Sequence, residues 1–173
     1  MPKLGVISAK IVVFETNLGF MGTIETPRGL AAVRVGCGGE VELRQMLERL
    51  QPDADDSRTS PLARRLQAYA AGKPDDFDDV ALLDDDLTPF ARKTTRACRA
   101  IPRGCTISYA ELARRAGSPA AFRAAGSVMA RNRWAIIVPC HRVVASGGGL
   151  GGYSVPEGLA FKRRLLALEA DGP

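Results

Sequence analysis

The sequence predicts an α+β protein: a small N-terminal domain of strands and helices over residues 1–87, then a mostly helical domain over residues 88–173. The second domain holds a helix-turn-helix and a loop with an adjacent cysteine and histidine. Three observations carry this prediction. The first 36 residues are short apolar runs broken by Gly and Pro turn signals, the pattern of strands. From Thr88 onward the apolar residues recur at helical spacing. The charge also reverses: residues 1–90 carry 10 Lys and Arg against 15 Asp and Glu, whereas residues 91–173 carry 14 against 4. A composition of 46% hydrophobic and 25% charged residues belongs to a folded globular chain, not a disordered one.

"VVFETNLGFMGTIETPRGLAAVRVG" (12–36) reads as short strands joined by turns. "EVELRQMLERL" (40–50) follows as an amphipathic helix, with Val41, Leu43, Met46, Leu47 and Leu50 on or near one stripe. "SPLARRLQAYAAGKP" (60–74) gives a second helix. Ser60 is its N-cap, Pro61 its first helical residue, and Gly72 its end. The acidic run "DDFDDVALLDDD" (75–86) lacks the glycine and spacing of a calcium loop. It reads as a solvated connection with a short strand near Val80–Leu83.

"TPFARKTTRACRAI" (88–101) predicts a helix capped by Thr88, begun by Pro89 and stopped by Pro102. In "TISYAELARRAGSPAAFRAAGSVMARN" (106–132), Ser108 and Glu111 form an S-x-x-E capping box. Ile107 and Leu112 stand where a hydrophobic staple places them. Gly117 closes this helix; Ser118 caps the next, with Pro119 at its first position. Two short helices across a Gly-Ser turn make a helix-turn-helix. The second is small-sided, with Phe122, Gly126 and Met129 as its expected inner face. Such units also occur as plain structure, and a basic half-chain also occurs as a plain solvated surface. A slim helix in a strongly basic region points to DNA backbone as the sharper alternative.

"AIIVP" (135–139) reads as a buried strand ended by Pro139, which puts Cys140 and His141 on a turn. A thiol becomes a nucleophile when a base or a positive environment removes its proton, and His141 is the only histidine in the chain. Neighbouring side chains meet poorly, so a bridging water is the expected proton route. A histidine base needs a carboxylate to fix its tautomer. Glu169, near the end of the helix "GLAFKRRLLALEA" (158–170), is the choice among the four acidic residues of this half. Glu111 is committed to its capping box, Glu157 is in a loop, and Asp171 is at the frayed terminus. By residues alone, Cys140 reads equally well as a structural cysteine. Cys37, Cys98 and Cys105 form no CxxC pair, and a single histidine leaves no ordinary zinc ligand set, so neither metal nor cofactor is expected. "GGGLGG" (147–152) lacks the Lys-Ser/Thr of a P-loop and reads as a loop in close backbone approach. No apolar run approaches the ~20 residues that span a bilayer. No cleavable leader follows the start of the chain, so a cytoplasmic protein with no membrane partner is expected.

"PCHRVV" in this setting resembles the active-site motif of the methylated-DNA–protein-cysteine methyltransferases, which repair O6-alkylguanine. "IPRGCTISYAELA", "FRAAGSVMARN", "IIVPCHRVV", "GGYS" and "GLAFKRRLLALE" follow in that family's order, over roughly residues 88–170. Residues 14–35 resemble its N-terminal strands more loosely. The resemblance implies single-turnover transfer of an alkyl group from O6-alkylguanine, and by extension O4-alkylthymine, to Cys140. His141, a water and Glu169 would form the relay. Asn132 would join the recognition helix to the active-site loop, and Arg123 would fill the space left by the flipped base. Tyr109 would turn the target phosphate, with Ser118 and Ala124 on the DNA surface. Met129, Val143, Tyr153 and Ser154, with Tyr109, would line the guanine pocket. The implied partner is double-stranded DNA, bound in the minor groove by a monomer that can assemble cooperatively.

Three departures stand out: Arg96 in place of a frequent tryptophan, Arg133-Trp134 where proline usually follows the asparagine, and "VPEG" (155–158) in a lengthened loop. Arg133 or Trp134 is expected to add a DNA contact. A non-catalytic sensor of alkylated DNA is the alternative function, and the presence of Cys140 argues against it. A cysteine hydrolase is a weaker third, since it leaves the helix-turn-helix unexplained.

Overall fold

The computed structural model describes residues 8–170; residues 1–7, part of the stretch read for a leader, and Asp171 lie outside them. The N-terminal strands form a meander of β1 (Lys10–Thr16), β2 (Gly19–Thr26) and β3 (Gly29–Arg34). A short β4 (Asp55–Ser57), not anticipated, adds in parallel to β1, giving the order β3-β2-β1-β4. Alternation along β1 sends Ile11 and Val13 to one face and Val12 and Phe14 to the other. The first face is covered by α1 (Glu40–Leu50) through Leu43 and Leu47, packed with Ile24. This helix lies close, since a Cβ at Gly22 would meet a Leu47 methyl at 2.5 Å. Val41, expected near its apolar stripe, is exposed instead.

The second face of the sheet receives α2 (Pro61–Ala70), whose Leu66 and Tyr69 are fully buried. Ser60 Oγ accepts from Ala63 N at 2.9 Å, the expected cap. The same hydrophobic cluster continues into Cys98, Leu112, Met129, Trp134, Phe161 and Leu165 of the second half. The acidic run between the halves is more than a solvated connection. Arg65 holds Asp75 and Asp79, Arg92 holds Asp84, Arg28 pairs with Asp85, and Arg133 pairs with Asp86. Phe77 turns inward at φ 55°, and the expected strand is reduced to a single bridge between Leu82 and Leu30. Arginines spread far along the sequence meet this run only after folding, which hid its partners from a local reading.

In the second half, α3 (Pro89–Arg99) starts at the Thr88 cap. The two-residue strand β5 (Ile107–Ser108) pairs in parallel with β6 (Val143–Val144). The helix-turn-helix is α4 (Tyr109–Arg115) and α5 (Phe122–Ala130). Ser108 Oγ accepts from Glu111 N, but the box is only half closed. The Glu111 carboxylate instead takes Arg114 and Arg115, and the hydrogen bonds from these two arginines hold its pKa at about 2, below the usual carboxylate range. The second helix begins at Phe122, not Pro119. Ser118 accepts from Ala121 N through its carbonyl, closing a turn instead of capping a helix. Its inner face is Ala125 and Met129; Phe122 points outward at 45% exposure.

The run 135–138 is not a strand. Val138 N donates back to Trp134 O at 2.8 Å, and Ile136 sits at φ 74°, a costly value for a β-branched residue. A run buried on all sides carries no periodicity that separates a strand from a folded-back turn. Cys140–Arg142 then form one turn of 3₁₀ helix, and α6 (Gly158–Ala170) packs behind it.

Candidate active site

Everything around Cys140 is set by how its short turn is anchored. Pro139 ends the folded-back segment, and Arg142 N donates to Pro139 O at 2.9 Å, closing the 3₁₀ turn. In this turn the Cys140 and His141 side chains diverge. The thiol faces a cavity, while the imidazole is fully buried against α6.

Asn132 fixes the thiol. Its Nδ2 donates to Val138 O at 2.8 Å and to Cys140 Sγ at 3.1 Å, while its Oδ1 accepts from Trp134 N at 3.0 Å. One side chain thus ties the end of α5 to the cysteine turn. Burial pushes the Cys140 thiol up, and four influences oppose this: the Asn132 hydrogen bond, the Lys162 charge, a backbone hydrogen bond and the nearby Tyr153 hydroxyl. The approach of Tyr153 Oη falls short of hydrogen-bond geometry, leaving that hydroxyl buried with no partner among the described residues.

His141 Nε2 lies 2.9 Å from Glu169 Oε1. Burial lowers the imidazole's pKa, and Glu169 partly restores it. His141 Nδ1 is buried with no partner among the described residues. With Nε2–H donated to the carboxylate, Nδ1 carries the free lone pair on the side left for a proton acceptor. Glu169 is itself held by more than its histidine. Arg142 donates to it through Nε at 2.9 Å and Nη2 at 2.8 Å, Tyr69 Oη at 2.5 Å, and Gly104 N at 3.3 Å. Burial works against the charge, yet the hydrogen bonds from His141, Arg142 and Tyr69 hold this carboxyl well below the usual range. The opposition between a carboxylate and the C-terminal end of a helix is therefore resolved by a buried guanidinium.

The cavity over the thiol is about 210 Å³ and is lined by Tyr109, Gly126, Met129, Ala130, Cys140, Gly152, Tyr153 and Ser154. Four of the five expected pocket residues are there. Val143 is not: it is fully buried in β6, and its carbonyl accepts from Lys162 Nζ at 2.6 Å. The Tyr109 ring stands between α5 and the glycine-rich loop. At Gly151 (φ +70°) a Cβ would meet that ring at 3.0 Å, which is why this loop approaches so closely.

Beyond the cavity, Ala124 and Arg123 are exposed on α5, and Ser118 is half-buried on the turn before it. No ion pair or side-chain hydrogen bond engages the Arg123 guanidinium among the described residues. The expected DNA contact from Arg133 or Trp134 does not fit. Trp134 is 2% exposed and donates through Nε1 to Leu30 O at 2.7 Å. Arg133 stacks on it and is tied to Asp86 and to Leu83 O. Trp134 locks the end of α5 to β3 and Arg133 locks it to the acidic run, long-range pairings with no local signature.

Three functional groups escaped the sequence reading. Arg142 sits inside the motif but gives no sign of its partner, and Tyr69 lies 100 residues from Glu169. Lys162 was detectable: it shares the inner stripe of α6 with Phe161, Leu165 and Glu169, where a lysine is out of place. Fully buried, it donates to Val143 O and, at 2.5 Å, to Leu150 O, joining the glycine-rich loop to β6. Among the described residues no group of His, Cys, Asp and Glu is placed to hold a metal ion, and no helix is long and apolar enough to cross a membrane.

Comparison with known proteins gives consistent matches. The family model described as "6-O-methylguanine DNA methyltransferase, DNA binding domain" matches residues 89–171. A Mycolicibacterium paratuberculosis protein named methylated-DNA–protein-cysteine methyltransferase is 38% identical over 152 residues, covering 85% of this chain and 90% of its own. A Methanosarcina barkeri protein of the same name is 45% identical over 107 residues, covering 62% of this chain and 65% of its own. The crystal structure of Mycobacterium tuberculosis OGT in complex with DNA is similar with a TM-score of 0.78 and 32% identity, covering 95% of each chain.

Proposed function

The chain belongs to the methylated-DNA–protein-cysteine methyltransferase family and is a DNA-repair enzyme that works by alkyl transfer; from that premise we propose that Cys140 accepts the alkyl group of O6-alkylguanine after the base is flipped through the minor groove. One observation carries this reading. The Cys140 thiol opens into a cavity of about 210 Å³, below the ~300–1,000 Å³ of drug-sized sites, beside an exposed helix-turn-helix. That volume suits one flat heterocycle and not a stretch of chain.

In the proposed reaction the alkylated oxygen is inside the base stack, so the nucleotide leaves the duplex at a cost of a few kcal/mol. Arg123, with no ion pair or side-chain hydrogen bond among the described residues, fills the space behind it. Tyr109, Met129, Tyr153 and Ser154 enclose the base. The Cys140 proton passes through a water to His141 Nδ1, while Glu169, clamped by Arg142 and Tyr69, steadies the resulting imidazolium. The thiolate attacks the alkyl carbon, an S–C bond forms as the C–O6 bond breaks, and guanine leaves with a proton restored. A thioether is left on Cys140, so each molecule acts once. The same geometry extends to O4-alkylthymine. Residues 88–173 supply the DNA surface and the chemistry in this reading, residues 1–87 act as scaffold, and a monomer binds double-stranded DNA.

Intact mass after mixing with an O6-methylguanine duplex tests the proposal. The expected result is one added methyl group, mapped to Cys140 and absent in Cys140→Ser. An unchanged mass with tight binding would mean that the protein senses such DNA without repairing it.

A further inference from the structure

Among the described residues, three large hydrophobic side chains are exposed, and one of them lies beside the arginine assigned to the duplex. Phe122 opens α5 at 45% exposure, and its ring lies under the Arg123 guanidinium, with 5.5 Å from Cζ to the ring centroid. The residues around it on the outer side are short: Ala120, Ala121, Ala124 and Ser127. The ring therefore stands clear of its own helix surface. Helix formation does not require it there, since Ala125 and Met129 already pack the inner face. The other two exposed residues, Val41 on α1 and Leu159 on α6, have no such neighbour in the DNA-facing helix.

We propose that Phe122 is a second wedge into DNA, entering the minor groove next to Arg123 and unstacking the adjoining base step. This rests on the reading that α5 enters the minor groove. Apolar side chains are used in that groove to part base steps and bend the duplex, and an aromatic face stacks on any base without reading its sequence. The guanidinium and the ring form an adjacent pair of planar groups. The arginine occupies the space of the flipped nucleotide, and the phenyl ring holds the neighbouring step open. The ring carries no charge, so it adds to binding and to base extrusion without adding a phosphate contact.

The test compares Phe122→Ala, Phe122→Leu and Arg123→Ala on three substrates: an O6-methylguanine duplex, the same strand unpaired, and free O6-benzylguanine base. For Phe122→Ala, transfer from the duplex is expected to fall tenfold or more, with DNA bending by end-to-end fluorescence transfer reduced and the salt slope of binding unchanged. The unpaired strand should lose less, and the free base should react within twofold of the parent rate. Phe122→Leu, which keeps an apolar wedge, should recover part of the duplex rate. Equal duplex rates for Phe122→Ala and the parent would overturn the proposal, as would an equal loss on the free base, which would mark a structural role. If Arg123→Ala is also without effect on the duplex, it is the minor-groove reading of α5 that fails. If Arg123→Ala alone is impaired, only the second wedge fails.

Discussion

Replacing Glu169 by glutamine should destabilise this protein strongly through a single-atom change. Both carboxylate oxygens are in use. Oε1 accepts from His141, Arg142 Nη2 and Tyr69, and Oε2 accepts from Arg142 Nε and Gly104 N. A glutamine amide has one acceptor oxygen, so whichever way it turns, its NH₂ faces N–H or O–H donors. The charge is lost as well. Arg142 is 6% exposed, and with Glu169 neutral its guanidinium keeps only uncharged acceptors, Ile101 O and the single amide oxygen. A unit-charge pair at about 4 Å is worth about 4 kcal/mol at an effective dielectric constant near 20. Removing one partner of a buried pair costs about 3–5 kcal/mol, because the other charge stays behind. For a chain of this size each kcal/mol moves Tm by about 2–4 °C. Calorimetry and urea titration of Glu169→Gln should therefore show Tm lowered by about 6–20 °C. Pairing Glu169→Leu with Arg142→Met removes both charges and should recover part of that loss. A Glu169→Gln protein within about 1 kcal/mol of the parent would refute the reasoning, since it would show that the guanidinium finds equal solvation elsewhere.

Three further outcomes follow from the same geometry. Asn132→Ala removes the hydrogen bond that lowers the Cys140 pKa, so thiol titration should move further up and methyl transfer should slow by about 10- to 150-fold, as expected for a bond to a charged sulfur worth ~1.5–3 kcal/mol. Acid should weaken the fold through two groups. The lowered Glu169 pKa gives stability that is present above the ordinary 4.5 and lost as pH falls through the folded value. The lowered His141 pKa gives stability that is full above 6.5 and declines below it, because the unfolded chain takes a proton the buried ring refuses. Urea midpoints measured from pH 8 to 4 should fall monotonically, and His141→Asn should flatten the part between 6.5 and 5. Arg133→Ala should leave DNA affinity and its salt slope unchanged while lowering stability by about 1 kcal/mol, the scale of a part-exposed ion pair.

What the sequence determined by itself was everything carried by local spacing or by a contiguous motif. Strand meander, capped helices and the helix-turn-helix were legible because turn residues, N-caps and periodicity act within a few residues of one another. The resemblance of residues 88–170 to a repair family supplies the chemistry and points to Cys140, His141, Asn132 and Glu169. The local reading failed where burial was complete. The apolar run before Pro139 looked like a strand because an all-buried segment has no alternation to read. The sequence starts α5 at Pro119, three residues before Phe122, because Ser118-Pro119 is as good a turn as it is a cap.

Only the tertiary structure decided the partners. That Glu169 is clamped by Arg142 and Tyr69, that Lys162 pins the glycine-rich loop, that Trp134 binds β3 and that Arg133 binds the acidic run are all long-range facts. Buried polar groups must find hydrogen bonds wherever the fold brings donors and acceptors together. Sequence can show that such a group needs a partner, as Lys162 does on an apolar stripe. Which partner it finds depends on how distant segments pack, and this is not encoded within any one of them.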